Sequence, residues 1–134
     1  MAKEFFFNVK VYYEDTDAGG VVYYANYLKY LERARTELIH KLNLSHKILK
    51  EKYNCVIVVR SCNIQYKTYG FFEDHLTIHT KLIKYSDLHF TLHQIIKREK
   101  NLIVSSEIQL VTINEKGKLN KIPDILLNKF ATLI

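Results

Sequence analysis

The stretch Val11–Leu38, VYYEDTDAGGVVYYANYLKYLERARTEL, changes its hydrophobic rhythm midway, and that change decides the fold. Ahead of it, Phe5, Phe7, Val9, Val11 and Tyr13 alternate with Phe6, Asn8, Lys10 and Tyr12. A period of two over this length predicts a strand running to about Tyr13. From about Tyr24 to Leu42 the spacing lengthens. Tyr27, Leu28, Leu31, Ala34, Leu38 and Leu42 form one stripe, while Lys29, Glu32, Arg33, Glu37 and His40 take the other side. This predicts an amphipathic helix about five turns long. Between strand and helix lie two aspartates, Asp15 and Asp17, and the glycine pair Gly19-Gly20, in a chain that has four glycines.

Downstream, Ser45 is placed to cap a shorter helix ending near Tyr53. Four strands are then expected. The first, Val56–Tyr66, is apolar on both faces in its first half and reads as a central strand. Leu76, Ile78, Thr80 and Leu82 mark the second; Leu88, Phe90, Leu92 and Ile96 the third; Leu102, Val104, Ile108 and Leu110 the fourth. A common apolar face for the second and third is met by pairing Leu82 with Phe90 and Thr80 with Leu92 across a loop Tyr85-Ser86-Asp87. That register sets His79 opposite His93, a conceivable but incomplete metal site. Lys97-Arg98-Glu99-Lys100 reads as a hairpin tip, and Pro123 as the start of a short terminal helix carrying Ile125, Leu126 and Phe130. One helix followed by a run of strands describes an α+β domain, with the helix covering one face of an antiparallel sheet.

Composition narrows the class. The chain has 134 residues, long enough for one domain spanning 1–134 with a real core. No apolar run reaches the roughly 20 residues of a membrane span, and the N-terminus lacks the pattern of a secretory signal, so a cytoplasmic protein is expected. Cys55 and Cys62, read as one strand, stand about 23 Å apart at ~3.3 Å per residue, too far for a disulfide. The net charge of +6 fits either an anionic ligand or a dispersed, solubilising lysine surface.

The loop between strand and helix has two readings. Asp15 and Asp17 can serve as turn formers, bonding their own downstream backbone. Alternatively, a carboxylate sits beside the N–H groups that a helix N-terminus leaves unpaired. Such donors stabilise an oxyanion, and the carboxylate acts as nucleophile or general base, the two parts of a hydrolytic device.

The stretch resembles the hotdog-fold acyl-CoA thioesterases of the hydroxybenzoyl-CoA thioesterase-like family, in particular the Tol-Pal-associated YbgC subgroup. Val58–Ile78, VVRSCNIQYKTYGFFEDHLTI, extends the resemblance. It implies a five-stranded antiparallel sheet wrapped around the long helix, in the order 1-3-4-5-2. It implies Asp17 as the catalytic carboxylate and the Tyr24 backbone N–H as the oxyanion donor. Many relatives carry histidine at the position of Tyr24, so any acid–base role there would fall to the tyrosine hydroxyl or to water. Tyr13 and Gly20 are expected to border the substrate, with Arg60 and Ser61 on its binding surface. The implied substrate is an acyl-CoA, or an acyl carrier protein thioester, hydrolysed without metal or organic cofactor. The implied assembly is a homodimer or homotetramer, with a further role beside membrane proteins open to the subgroup. Two other readings stand beside it: a hotdog dehydratase or hydratase, for which the loop lacks a histidine, and a basic, tyrosine-rich module stacking single-stranded RNA. With the thioesterase reading, no nucleic-acid partner is expected.

Overall fold

A computed structural model describes residues 2–134. The chain order is β1 (Glu4–Lys10), a 3-10 turn (Tyr13–Asp15), α1 (Asn26–Lys41), α2 (His46–Tyr53), β2 (Val56–Tyr66), β3 (His75–Tyr85), β4 (His89–Arg98), β5 (Asn101–Ile113), β6 (Leu119–Asn120) and α3 (Asp124–Ala131). The sheet is antiparallel in the order β1-β3-β4-β5-β2, as the resemblance implied, with two-residue β6 added beside β5.

The inner face of the sheet and the apolar stripe of α1 make the core. Tyr27, Tyr30, Leu31, Ala34 and Leu38 of α1 are buried against Leu76, Ile78 and Leu82 of β3, Leu92 and Ile96 of β4, and Val104 and Ile108 of β5. Leu28, assigned above to the stripe, is exposed, because the buried arc of α1 is centred on Tyr27, Leu31 and Leu38. The shorter helices follow their signals. Ser45 caps α2, its Oγ accepting from the Ile48 N–H at 3.0 Å. Asn54 ends α2 in the left-handed conformation that Asn tolerates. Pro123 precedes α3, which buries Leu126 and Phe130.

Several expectations change. The first strand stops at Lys10, and Tyr12 and Tyr13 project into solvent beyond it. The helix begins at Asn26, so Tyr24 lies in the turn before it. Strand β2 is an edge strand and, among the described residues, bonds only β5; its two apolar faces do not reflect a central position. A bulge between Val59 and Ser61 leaves Arg60 without a cross-strand partner and resets which residues face inward.

The β3–β4 register also differs from expectation. Leu82 faces Leu92 and Thr80 faces Gln94, and a bulge after Leu82 lets β3 run on to pair Tyr85 with Phe90. The loop is therefore Ser86–Leu88, closed by the Ser86 N–H on the His89 carbonyl, and Leu88 is exposed rather than in a strand. This register sets apolar side chains directly opposite one another, Ile78 with Ile96 and Leu82 with Leu92. It also separates the histidines. His79 lies opposite Ile95 and holds Glu4 on β1, while His93 lies between Lys81 and Glu107. Among the described residues no three metal-ligating side chains gather anywhere. Cys55 precedes β2 and is buried, Cys62 lies on β2 and is exposed, and both are free thiols. No helix among the described residues is long and apolar enough to cross a membrane.

Candidate active site at the N-terminus of the long helix

The loop before α1 folds back on itself. Thr16 bridges Val22, and the Asp17 N–H donates to the Val21 carbonyl at 2.9 Å. The reversal is a turn over Asp17–Gly20, with the Gly20 N–H on the Asp17 carbonyl at 3.0 Å. Gly20 has φ +80°, a conformation that costs a side-chain-bearing residue about 1 kcal/mol or more. Gly19 leaves its N–H pointing at Asp17 Oδ1, 2.8 Å away, and a Cβ there would approach that same oxygen to 3.2 Å.

The two aspartates have separate duties. Asp15 is 7% exposed, and both its oxygens are engaged: Oδ1 accepts from Asn26 Nδ2 at 2.6 Å, and Oδ2 accepts from the Tyr12 N–H at 2.9 Å. Its carbonyl accepts from the Tyr23 N–H. Asp15 thus ties the chain leaving β1 to the first residue of α1. The buried Tyr30 hydroxyl faces this pair without a well-formed hydrogen bond, and burial followed by the Asp15 carboxylate pushes its phenol far above the ordinary range. Asp17, by contrast, is exposed. Oδ1 is held by Gly19, and among the described residues nothing donates to Oδ2. The turn-forming and chemical readings of Asp17 are therefore compatible, one oxygen for each.

Beside this hairpin, the entry to α1 has open donors. The N-cap residue, Ala25, has no capping side chain, and the Asn26 N–H is taken by the Tyr23 carbonyl. Among the described residues, the N–H groups of Tyr24 and Ala25 have no acceptor. The Tyr24 ring, 61% exposed, packs near Tyr23 and stands edge-on to Tyr66 at 6.2 Å between centroids.

A second loop supports the first. The Val22 N–H donates to the Gly70 carbonyl at 2.8 Å, and the Gly70 N–H donates to the Tyr27 hydroxyl at 2.9 Å. A Cβ at Gly70 would meet Val22 Cγ2 at 3.1 Å, so this glycine is needed for close approach. Arg98 holds the remainder of that loop, bonding Asp74 at 2.8 Å and the Tyr69 carbonyl at 2.9 Å.

The sequence-derived residues thus divide into two groups. Asp17, Gly20 and Tyr24 share one hairpin, and Tyr13 begins it, 78% exposed with its ring beside Phe72. Gly20 has its N–H engaged within the turn and serves the backbone shape. Arg60 and Ser61 are not brought to this hairpin. Tyr66 is the β2 residue that touches Tyr24, and Arg60 lies six positions away, roughly 20 Å along an extended strand. Sequence reasoning missed Asp15, Asn26, Tyr27 and Gly70 as the parts that hold the site. Only the lone glycine at position 70, between Tyr69 and Phe71, gave a local hint.

Comparison with known proteins agrees with this fold. Residues 11–130 match the family model described as the thioesterase-like superfamily. The acyl-CoA thioesterase YbgC of Haemophilus influenzae is 34% identical over 118 residues, covering 88% of this chain and 86% of that one. The acyl-CoA thioester hydrolase YbgC of Escherichia coli O6:H1 is 35% identical over 125 residues, covering 91% and 92%. A probable thioesterase from Bartonella henselae superposes with a TM-score of 0.88 at 29% identity, covering 90% of this chain and all of that one. The sheet order, the helix it wraps and these similarities make the fold a hotdog fold and place the chain in the thioesterase-like superfamily.

Proposed function

We propose that the protein hydrolyses acyl-coenzyme A thioesters at the Asp17 hairpin. The observation that carries this reading is the division of the Asp17 carboxylate: Oδ1 is fixed by the Gly19 N–H and Oδ2 has no donor among the described residues, in a hairpin that leads into a helix entry whose Tyr24 and Ala25 N–H groups are open. In this reading the thioester carbonyl oxygen sits at the Tyr24 N–H, which takes up charge as the carbonyl carbon becomes tetrahedral. Asp17 drives the attack, directly or through a water that it deprotonates. On the water route the carbon–sulfur bond then breaks, releasing the free acid, and the proton taken by Asp17 passes to the coenzyme A thiolate. On the direct route the same cleavage leaves an acyl–Asp17 anhydride and the thiolate, and water hydrolyses the anhydride to the free acid, its proton going to the thiolate. The chemistry is complete with a carboxylate, backbone dipoles and water. Exposed Tyr13 and the positive charge of the chain suit a phosphate-bearing nucleotide carrier.

Arg60 and Ser61 fit this reading if two copies join along β2. That strand is eleven residues long, contains one charged residue and no proline, and its Val59 is 49% exposed. An edge this long and apolar is a template for pairing. The opposite edge, β1, is shorter and partly covered: Lys41 Nζ donates to the Phe6 carbonyl, and the Lys3 N–H to the Leu133 carbonyl. Joined through β2, a homodimer would offer Arg60 and Ser61 of one copy to the hairpin of the other.

The central test is Asp17→Asn. The amide oxygen still accepts from Gly19, so the turn survives while the base or nucleophile is removed. Turnover of acyl-CoA should fall at least a hundredfold, a typical share for acid–base or nucleophilic catalysis. Circular dichroism and melting temperature should stay unchanged. Full activity in a folded Asp17→Asn variant would overturn the assignment.

A further inference from the structure

An open cavity of about 270 Å³ lies away from the hairpin within the chain, lined by α1 from Glu32 to Ile39, the start of α2, strands β2, β4 and β5, and α3. Arg35 is nine residues into the chain beyond Asn26, roughly 14 Å further along the helix axis. Ligand pockets run upward from about 300 Å³, so at about 270 Å³ this one lies just under that range and suits only a small ligand. Its walls differ. Leu38, Phe90 and Phe130 belong to the apolar wall; Glu32, Arg35 and His46 supply the polar rim.

Arg35 is the feature that calls for an explanation. Its guanidinium has five N–H donors, and the bond it makes is Nη1 to Gln94 Oε1 at 3.1 Å. Among the described residues no carboxylate lies within ion-pair distance of it. Glu32 lines the same cavity and acts on Arg35 only from farther away. Partial burial lowers the Arg35 pKa, and Glu32 opposes that shift from a distance without making an ion pair. A half-buried cation of this kind gains from an anion brought into contact with it.

The partner that aims it is equally unusual. Gln94 is fully buried at an inward position of β4 where Leu92 and Ile96 flank it. Its Nε2 donates to the Leu31 carbonyl at 3.1 Å and to Thr80 Oγ1 at 3.0 Å, leaving Oε1 for Arg35. A buried polar network of this kind fixes the guanidinium at the mouth of an apolar space.

We propose that this cavity binds a small aliphatic carboxylate, its chain against the apolar wall and its carboxylate on the Arg35 guanidinium. Arginine is suited to this through its planar pair of donors. His46 lines the same cavity and offers a ring nitrogen at its exposed rim. Glu32 opposes the ligand charge from the rim, which favours a carboxylate that sits on the guanidinium rather than in the open mouth. Within one chain the cavity lies apart from the Asp17 hairpin, and its binding of a carboxylate does not depend on Asp17 being the catalytic group.

Isothermal titration with octanoate and octanamide tests it. The parent protein should bind octanoate at least tenfold more tightly than octanamide, and Asp17→Asn should bind both as the parent does. Arg35→Leu should reduce octanoate affinity to the octanamide level. No octanoate binding, or no preference over octanamide in the parent, would overturn the proposal without recourse to any variant. So would unchanged preference in a folded Arg35→Leu protein, or loss of binding in Asp17→Asn, which would locate the carboxylate in the hairpin instead. Loss of turnover with retained octanoate binding in Asp17→Asn would leave both proposals standing.

Discussion

Replacing Asp15 with asparagine changes one atom and should cost more stability than any other single-atom change in the loop. The carboxylate accepts from two directions, Asn26 Nδ2 at 2.6 Å and the Tyr12 N–H at 2.9 Å, in a site 7% exposed. An amide has one accepting atom. Whichever way it turns, its NH₂ meets one of those donors. Hydrogen bonds to charged groups contribute about 1.5–3 kcal/mol, and an orphaned buried donor carries a desolvation cost of similar size. The expected loss is about 2–3 kcal/mol. For a domain of this length, at about 4 °C per kcal/mol, the melting temperature should drop by roughly 8–12 °C. Urea and thermal unfolding measure it, and activity assayed well below the midpoint separates lost stability from lost chemistry. The exchange Asp15→Asn/Asn26→Asp supplies a control. In the double variant the new amide oxygen can accept from Tyr12, and its NH₂ can donate to the carboxylate now at position 26, which also suits a helix N-terminus. It should recover more than half of the loss. A change under 0.5 kcal/mol in Asp15→Asn, or no recovery in the exchange, would refute the anchoring role.

Other predictions concern different parts of the molecule. Gly70→Ala drives a Cβ to 3.1 Å from Val22 Cγ2 and should destabilise by about 1–3 kcal/mol, read by urea unfolding; wild-type stability would mean that the two loops can separate freely. The His79 ring nitrogen, and then Lys81, hold the Glu4 carboxyl below its ordinary 4.5. Its contribution is therefore present above that value and lost as pH falls through the lowered one, so acid-unfolding curves of the parent and Glu4→Gln should differ near neutrality and converge in acid. Sedimentation at assay concentration should show dimers or larger, and dilution that yields monomer should remove activity with it; a fully active monomer would refute the β2 seam.

Much of the architecture was legible because it rests on periodicity. The switch from a two-residue to a three-to-four-residue rhythm across Asp17–Tyr24 separates β1 from α1, and Ser45 and Pro123 mark the starts of α2 and α3 by local chemistry. Register was less legible. Parity fixes which face a residue takes, and Leu82 faces inward under either pairing. The bulge after Leu82 and the one at Arg60 add a residue without a compositional signature, so neither the partner of His79 nor the facing of Val59 could be counted out along the strands. Edge position was hidden for another reason. A strand apolar on both sides looks the same whether a neighbouring strand or a second copy of the chain is to cover it.

The candidate site shows the same limit in its polar groups. Asp15 and Asp17 are two residues apart, equally acidic and equally close to glycine, and a sequence rhythm has nothing to say about which is buried. What separates them is the 3-10 turn at Tyr13–Asp15, which rolls Asp15 inward against Asn26 and leaves Asp17 on the outer reversal. The division has a consequence for how the site tolerates change. Asp17 is held by a contact within its own turn, whereas the turn is positioned by Asp15 on Asn26 and by Val22 on Gly70, which in turn rests on Tyr27. Both supports end on the first turn of α1. The open N–H groups of Tyr24 and Ala25 sit at that same helix entry. The Asp17 carboxylate and these open N–H groups are thus referenced to one element, so a disturbance that moves the entry of α1 carries both together. A disturbance that frees the hairpin from α1 separates them, and it should depress turnover even with Asp17 intact.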